Sequence, residues 1–161
     1  MSQRGLFYGW VVVFAAATVV AFGQGSLFTL GVFLKPLEDS MLWSRSAVSV
    51  TALINWMAMG VGSFFWGGMS DRLGSRSVTI AGGLLLGLSL VLSSQATALW
   101  HLHLTFGLGV GFAAGAFLTP LSATATKWFT SNRGLALGII SAGGGAGMLL
   151  LSPLTRWIIS A

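Results

Sequence analysis

The sequence predicts an all-α integral membrane protein of about five transmembrane helices, and three observations predict it. Of 161 residues, 55% are hydrophobic and 7% are charged, against roughly 25% charged residues in soluble domains; mean hydropathy is +0.87. The eight basic and three acidic residues bound uncharged runs of 30, 25, 50 and 22 residues, at 5–34, 46–70, 77–126 and 134–155. Glycine fills 23 positions, about twice ordinary usage, as expected where helices in lipid associate through small residues rather than through hydrophobic burial.

One span needs about 20 residues at 1.5 Å per residue. The run 5–34 gives one helix, about 8–34, long enough to require tilting, bending near Gly23 and Gly25, or continuation past the interface. The next gives about 46–69. The 50-residue run gives two, about 77–97 and 102–126, turning in the Gln95–His103 region, where Trp100 is an interfacial anchor. The last gives about 134–157. These five make a single transmembrane domain over 1–161. The N-terminus resembles a signal peptide, but its apolar run far exceeds a 7–15-residue core and further spans follow, which makes it the first helix. With the N-terminus cytoplasmic, Arg4, Arg72, Arg76, Lys127 and Arg133 lie inside and Lys35, Arg45 and Arg156 outside, the positive-inside bias.

Several function classes are excluded. The net charge of +5 is spread singly over helix ends, where snorkelling accounts for it, so no nucleic-acid footprint exists. Three acids, no cysteine and no paired carboxylates leave no catalytic constellation, no metal site and no cofactor. His101 and His103, two apart, face different sides of a helix, and are read as interfacial or as pH-sensing. Gly107, Gly111 and Gly115, with Gly83/Gly87, Gly134/Gly138 and Gly143/Gly147, have the four-residue spacing of helix-packing faces.

Residues 31–37, Gly-Val-Phe-Leu-Lys-Pro-Leu, match residues 115–121, Gly-Ala-Phe-Leu-Thr-Pro-Leu, at five of seven positions. They sit near the exits of helices 1 and 4, which leave on opposite sides. The match is either chance between apolar segments or an inverted repeat of three helices. A repeat would leave the second unit without its third helix, so the chain is expected to be a piece of something longer.

The most informative segment is Gly67-Gly-Met-Ser-Asp71-Arg72-Leu-Gly74-Ser-Arg76 between helices 2 and 3. Gly67 lets a neighbouring backbone come close, and Gly74 suits a turn with positive φ. Asp71 can accept N–H groups near the start of helix 3, and Arg72 and Arg76 can reach phosphates or helix-end carbonyls. At Gly67, Asp71, Arg72, Gly74 and Arg76 this segment resembles the helix 2–3 loop signature of the major facilitator superfamily of secondary transporters. Tyr8-Gly-Trp-Val-Val-Val13, residues 31–37, Trp43-Ser-Arg-Ser46 and Lys127-Trp-Phe-Thr-Ser-Asn-Arg-Gly-Leu-Ala-Leu-Gly138 are similar to its monocarboxylate / oxalate–formate branch.

The resemblance implies the incomplete N-terminal six-helix half of an alternating-access carrier, built from inverted three-helix repeats around a midplane site. It implies a cytoplasmic charge latch in which Asp71 meets basic groups, and Arg133, opening helix 5, is the expected partner. It implies a small-molecule solute, a small organic anion such as a monocarboxylate or oxalate/formate, and a C-terminal half outside this chain. The chain departs from the family pattern in helix 4, where His103 or Thr105 replaces an expected arginine, and at Phe28, where animal monocarboxylate carriers have lysine. Helix 1 lines the cavity in this superfamily, which makes Gln24 and Phe28 candidate solute contacts, with Asn55 and Trp56 on helix 2. Gln24 and Asn55 are equally read as interhelical hydrogen bonders. The expected location is the plasma or inner membrane. The alternatives are a small homo-oligomeric channel or transporter, and a non-transporting membrane subunit.

Overall fold

The computed structural model describes residues 3–41, 43–129 and 132–160, with side chains for 8–33, 43–129 and 132–158. Arg4, Lys35 and most of the first repeat segment therefore lie outside the described side chains. Five helices follow one another: α1 (Gln3–Met41), α2 (Arg45–Leu73), α3 (Ser75–Ser94), α4 (Leu99–Trp128) and α5 (Arg133–Ser160). Each contains a segment long and apolar enough to cross a membrane, and no strand occurs among the described residues.

The long first run is resolved by continuation, since α1 passes beyond its apolar span Tyr8–Phe33 as one unbroken helix. Ser44 starts α2 in extended conformation, its Oγ accepting the Ala47 N–H at 3.3 Å, which satisfies one of the four free N–H groups of a helix start. Gly74 both ends α2 and begins α3. Its φ of +82° turns the chain in a single residue, its N–H reaches Ser70 O at 3.0 Å, and its carbonyl takes the Val78 N–H at 3.4 Å. The α3–α4 turn comes about three residues earlier than expected: α3 stops at Ser94 and α4 starts at Leu99, which puts His101 as well as His103 inside the helix.

In α4, residues His103–Val110 are π-helical and Gly111–Trp128 α-helical. Pro120 lies inside this second part and removes one ladder hydrogen bond. Two hydroxyls gather beside it: Thr124 Oγ1 donates to Pro120 O at 2.9 Å, and Ser75 Oγ hydrogen-bonds Thr124 Oγ1 and lies 3.4 Å from the same carbonyl oxygen.

Two helix pairs carry the bundle, α1 with α5 and α2 with α4, while α3 packs on α4. If helix 4 is the inverted copy of helix 1 and helix 5 that of helix 2, the pair α1–α5 maps onto α4–α2, as two inverted three-helix units require. Both seams are glycine-lined. A Cβ on Gly143 or Gly147 would run into the α1 backbone at Ala17 and Ala21; one on Gly111 or Gly115 would meet the α2 backbone at Asn55 and Gly62–Ser63.

The other small-residue pairs behave differently. Gly83, Gly87, Gly134 and Gly138 have nothing within 4 Å of an added Cβ, so their spacing serves no packing among the described residues. Nor are the ends of the sequence repeat equivalent in their surroundings: Gly115 is buried in the α2–α4 seam, whereas Gly31 is exposed with open space around it. Between the seams lies an apolar core that includes Val13, Val20, Val110, Ala113 and Ile140, each fully buried.

Candidate functional site

α1, α2, α4 and α5 line an open pocket of about 310 Å³ whose walls include Val20, Gln24, Phe28, Trp56, Leu118 and Ser141. Val20, Trp56, Leu118 and the neighbouring Gly144 and Gly145 fall near the middle of their spans. The α1–α5 seam sets its floor, where Val20 and Gln24 of α1 lie beside Gly144 of α5. Phe28 and Trp56 meet across the α1–α2 gap edge to face, with ring centroids 5.7 Å apart and planes at 76°. The Gln24 amide has no hydrogen-bond partner among the described residues and is only partly buried. A neutral amide in that setting can both donate to and accept from a solute.

Asn55 is placed differently. It is 3% exposed, and its Nδ2 donates to Phe106 O in α4 at 2.9 Å. Departures from the regular ladder are where side chains can reach helix carbonyls, and Phe106 lies in the π-helical stretch. Thr51 and Trp66, on the same face of α2, also bond to α4: Thr51 Oγ1 with His103 Nδ1 at 2.8 Å, and Trp66 Nε1 with Phe112 O at 3.0 Å. Asn55 thus belongs to a polar seam joining α2 to α4, while Gln24, Phe28 and Trp56 share the cavity. Asn55→Leu should destabilise the bundle by about 0.6–1.7 kcal/mol and leave solute affinity unchanged. Unfolding in mixed micelles beside a transport KM checks this, and a KM shift matching that of Gln24→Ala would contradict it.

The loop residues divide as well. Gly67 and Arg72 line a larger groove of about 670 Å³ with Ser63, Phe64, Gly68 and Thr119. Gly67 admits no close backbone among the described residues, since its nearest neighbour would be Thr119 Cγ2 at 3.8 Å from an added Cβ. Asp71 corrects the expectation that it caps helix 3: α2 runs on to Leu73, so Asp71 stands exposed in the last turn of α2. The helix dipole disfavours a carboxylate there and favours Arg72 beside it. Arg76 is exposed in the first turn of α3. The expected Asp71–Arg133 contact does not form in this structure; Arg133 Nε instead donates to Phe129 O at 2.7 Å.

Sequence reasoning missed Ser141, Leu118 and Met148 in the cavity. Ser141 carried a usable signal, as a polar residue in mid-span. Leu118 and Met148 carried none, because apolar residues facing a cavity and facing lipid read alike. The Thr51–His103 bond was also missed, since it depends on where α4 begins.

The sequence matches the Major Facilitator Superfamily over residues 13–161. It is 33% identical over 153 residues to Monocarboxylate transporter 13 of Rattus norvegicus, covering 95% of this chain and 36% of that protein. It is 36% identical over 155 residues to Monocarboxylate transporter 11 of Mus musculus, covering 94% and 34%. To Monocarboxylate transporter 2 of Homo sapiens it is 29% identical over 153 residues, covering 95% and 32%. The chain spans about a third of the length of these curated relatives, whose names agree with the branch suggested by the segments at 8–13, 31–37, 43–46 and 127–138. Matched from Val13 onward and folded as five membrane-crossing helices around a mid-span cavity, the chain belongs to the Major Facilitator Superfamily.

Proposed function

We propose that this chain forms one wall of a secondary active carrier for a small organic anion, working by alternating access. The observation that carries the reading is the mid-span cavity in which Gln24, Phe28 and Trp56 converge from two helices. A solute site near the membrane midplane, at the meeting of repeat units, is the arrangement that alternating access uses. A further helical half would supply the opposite wall. The groove bounded by Phe64, Gly67, Gly68 and Arg72 is apolar, open and rich in small residues, which suits the close approach of another helix.

In this reading the α2–α3 link faces the cytoplasm of a plasma or inner membrane, as does the N-terminus. Asp71, Arg72 and Arg76 are exposed and close in sequence around a one-residue turn, so they are available to latch onto elements of that other half; Arg133 flanks the next link on the same side. The same groove also favours a second reading, in which copies of this chain fill it and build a small oligomer. Intact mass from the native membrane separates the two: a product well above 16.8 kDa supports the carrier, and a stable product of that mass supports self-assembly.

Uptake of labelled lactate into proteoliposomes, with counterflow, tests the carrier. Gln24→Ala should raise KM about two- to tenfold, the loss of one neutral hydrogen bond to the solute, with little change in maximal rate. An unchanged KM removes Gln24 from the site, and absence of counterflow for every carboxylate tried removes the function.

A further inference from the structure

We propose that the wall supplied by this chain holds the apolar body of the solute, not its charge, and that the preferred solutes are carboxylates bearing an aromatic ring. The inference deepens the carrier reading and rests on it. No charged side chain occurs in the described lining of the mid-span cavity. The charged residues among the described side chains, Arg45, Asp71, Arg72, Arg76, Lys127, Arg133 and Arg156, all stand at helix ends or in the last turns of helices. An unpaired carboxylate placed against this wall would lose its hydration without a counter-charge, which is prohibitive. The wall therefore meets the uncharged part.

Size and shape then narrow that part. About 150 Å³ of apolar cavity holds a benzene ring, and this cavity offers about 310 Å³. Formate or oxalate would touch little of this open wall, while a phenyl group with a short linker has room to lie along it. Phe28 and Trp56 also line a second cavity of about 220 Å³ with Leu27, Leu30, Val48 and Ala52, so the aromatic pair is a wall shared by two spaces. Trp56 remains 49% exposed. Phe28 already takes one edge-to-face position on it, and a third ring entering from the mid-span side can complete an aromatic cluster at offset-stacked or edge-to-face geometry. Gln24 and Ser141 give this wall neutral polar contacts for a linker hydroxyl or amide.

The test uses the polypeptide expressed from its native reading frame, reconstituted in liposomes, with formate, lactate and 3-phenyllactate as probes. Phenyllactate should compete with labelled lactate at least about tenfold better than unlabelled lactate does, and formate worse than either. Phe28→Ala and Trp56→Ala should each cut the ratio of phenyllactate to lactate affinity about five- to tenfold, the scale of one aromatic contact. Trp56→Phe should keep most of the preference, which separates loss of the ring from loss of the fold. Equal competition by lactate and phenyllactate, or a preference surviving both alanine variants, overturns the proposal. Quenching of the Trp56 contribution, read as wild type minus Trp56→Phe in detergent, gives a readout independent of transport. Quenching by phenyllactate without uptake supports this site and sinks the carrier reading; uptake without quenching or preference does the reverse.

Discussion

Leucine in place of Gly147 should leave little folded protein, whereas leucine in place of Gly83 should leave nearly all of it. The two glycines have the same four-residue spacing to a neighbour and sit in equally apolar helices. A Cβ at position 147 would fall on the Ala21 carbonyl oxygen and lie 2.6 Å from its carbonyl carbon, whereas one at 83 would meet nothing within 4 Å. Overpacking a core costs about 1–3 kcal/mol when side chains can rotate away. Here the obstacle is the backbone of α1, so the α1–α5 seam itself must open, and about 3 kcal/mol or more is expected. Helices in lipid have little hydrophobic force to hold an opened seam together. Gly83→Leu adds one more apolar side chain to an exposed face and gains helix propensity of about 0.8 kcal/mol. The fraction of monodisperse protein after extraction, compared for both variants, checks the contrast. Similar yields would mean that α1 and α5 do not touch through Gly147.

Alanine at Gly74 should cost about 1–3 kcal/mol, and valine should cost nearly the same. The φ of +82° with ψ of 150° lies in a region that L residues rarely adopt, yet the space around an added Cβ is empty. The penalty is therefore conformational and insensitive to side-chain size. Relief of the strain would lengthen the link between α2 and α3 and turn Asp71, Arg72 and Arg76 away from their present relation, so the uptake rate should fall further than stability does. Unfolding midpoints and initial uptake rates measured on both variants decide it. A valine variant much worse than the alanine variant would show that crowding, not backbone conformation, sets the requirement for glycine.

What could be read from sequence followed from local physics. The uncharged runs marked the five helices because water-free lipid leaves few other places for such segments. Gly74 was recognisable because a link this short between two helices demands an unusual backbone. Gln24 and Asn55, by contrast, were indistinguishable as single neutral amides in apolar helices. They parted only when helix rotation aimed Asn55 at the Phe106 carbonyl and left Gln24 facing open space. The π-helical stretch that presents that carbonyl has no sequence mark in His103–Val110. Gly83/Gly87 and Gly111/Gly115 show the same limit: spacing places residues on one face, but only the tertiary fold decides what that face meets. Asp71 moved from the start of one helix to the end of another because a single glycine sufficed for the turn.

The two glycine seams have a mechanical consequence. Backbone lies against backbone at Ala17–Gly143, Ala21–Gly147, Asn55–Gly111 and Ser63–Gly115, with no layer of side chains between to slip or re-pack. Interfaces of that kind behave as struts, because close-packed contacts yield in discrete jumps rather than by gradual deformation. The α1–α5 and α2–α4 pairs thus form a stiff frame that fixes Gln24 relative to Ser141. Sliding surfaces belong on the frame's outer faces, where Gly68, Gly134 and Gly138 stand uncovered among the described residues.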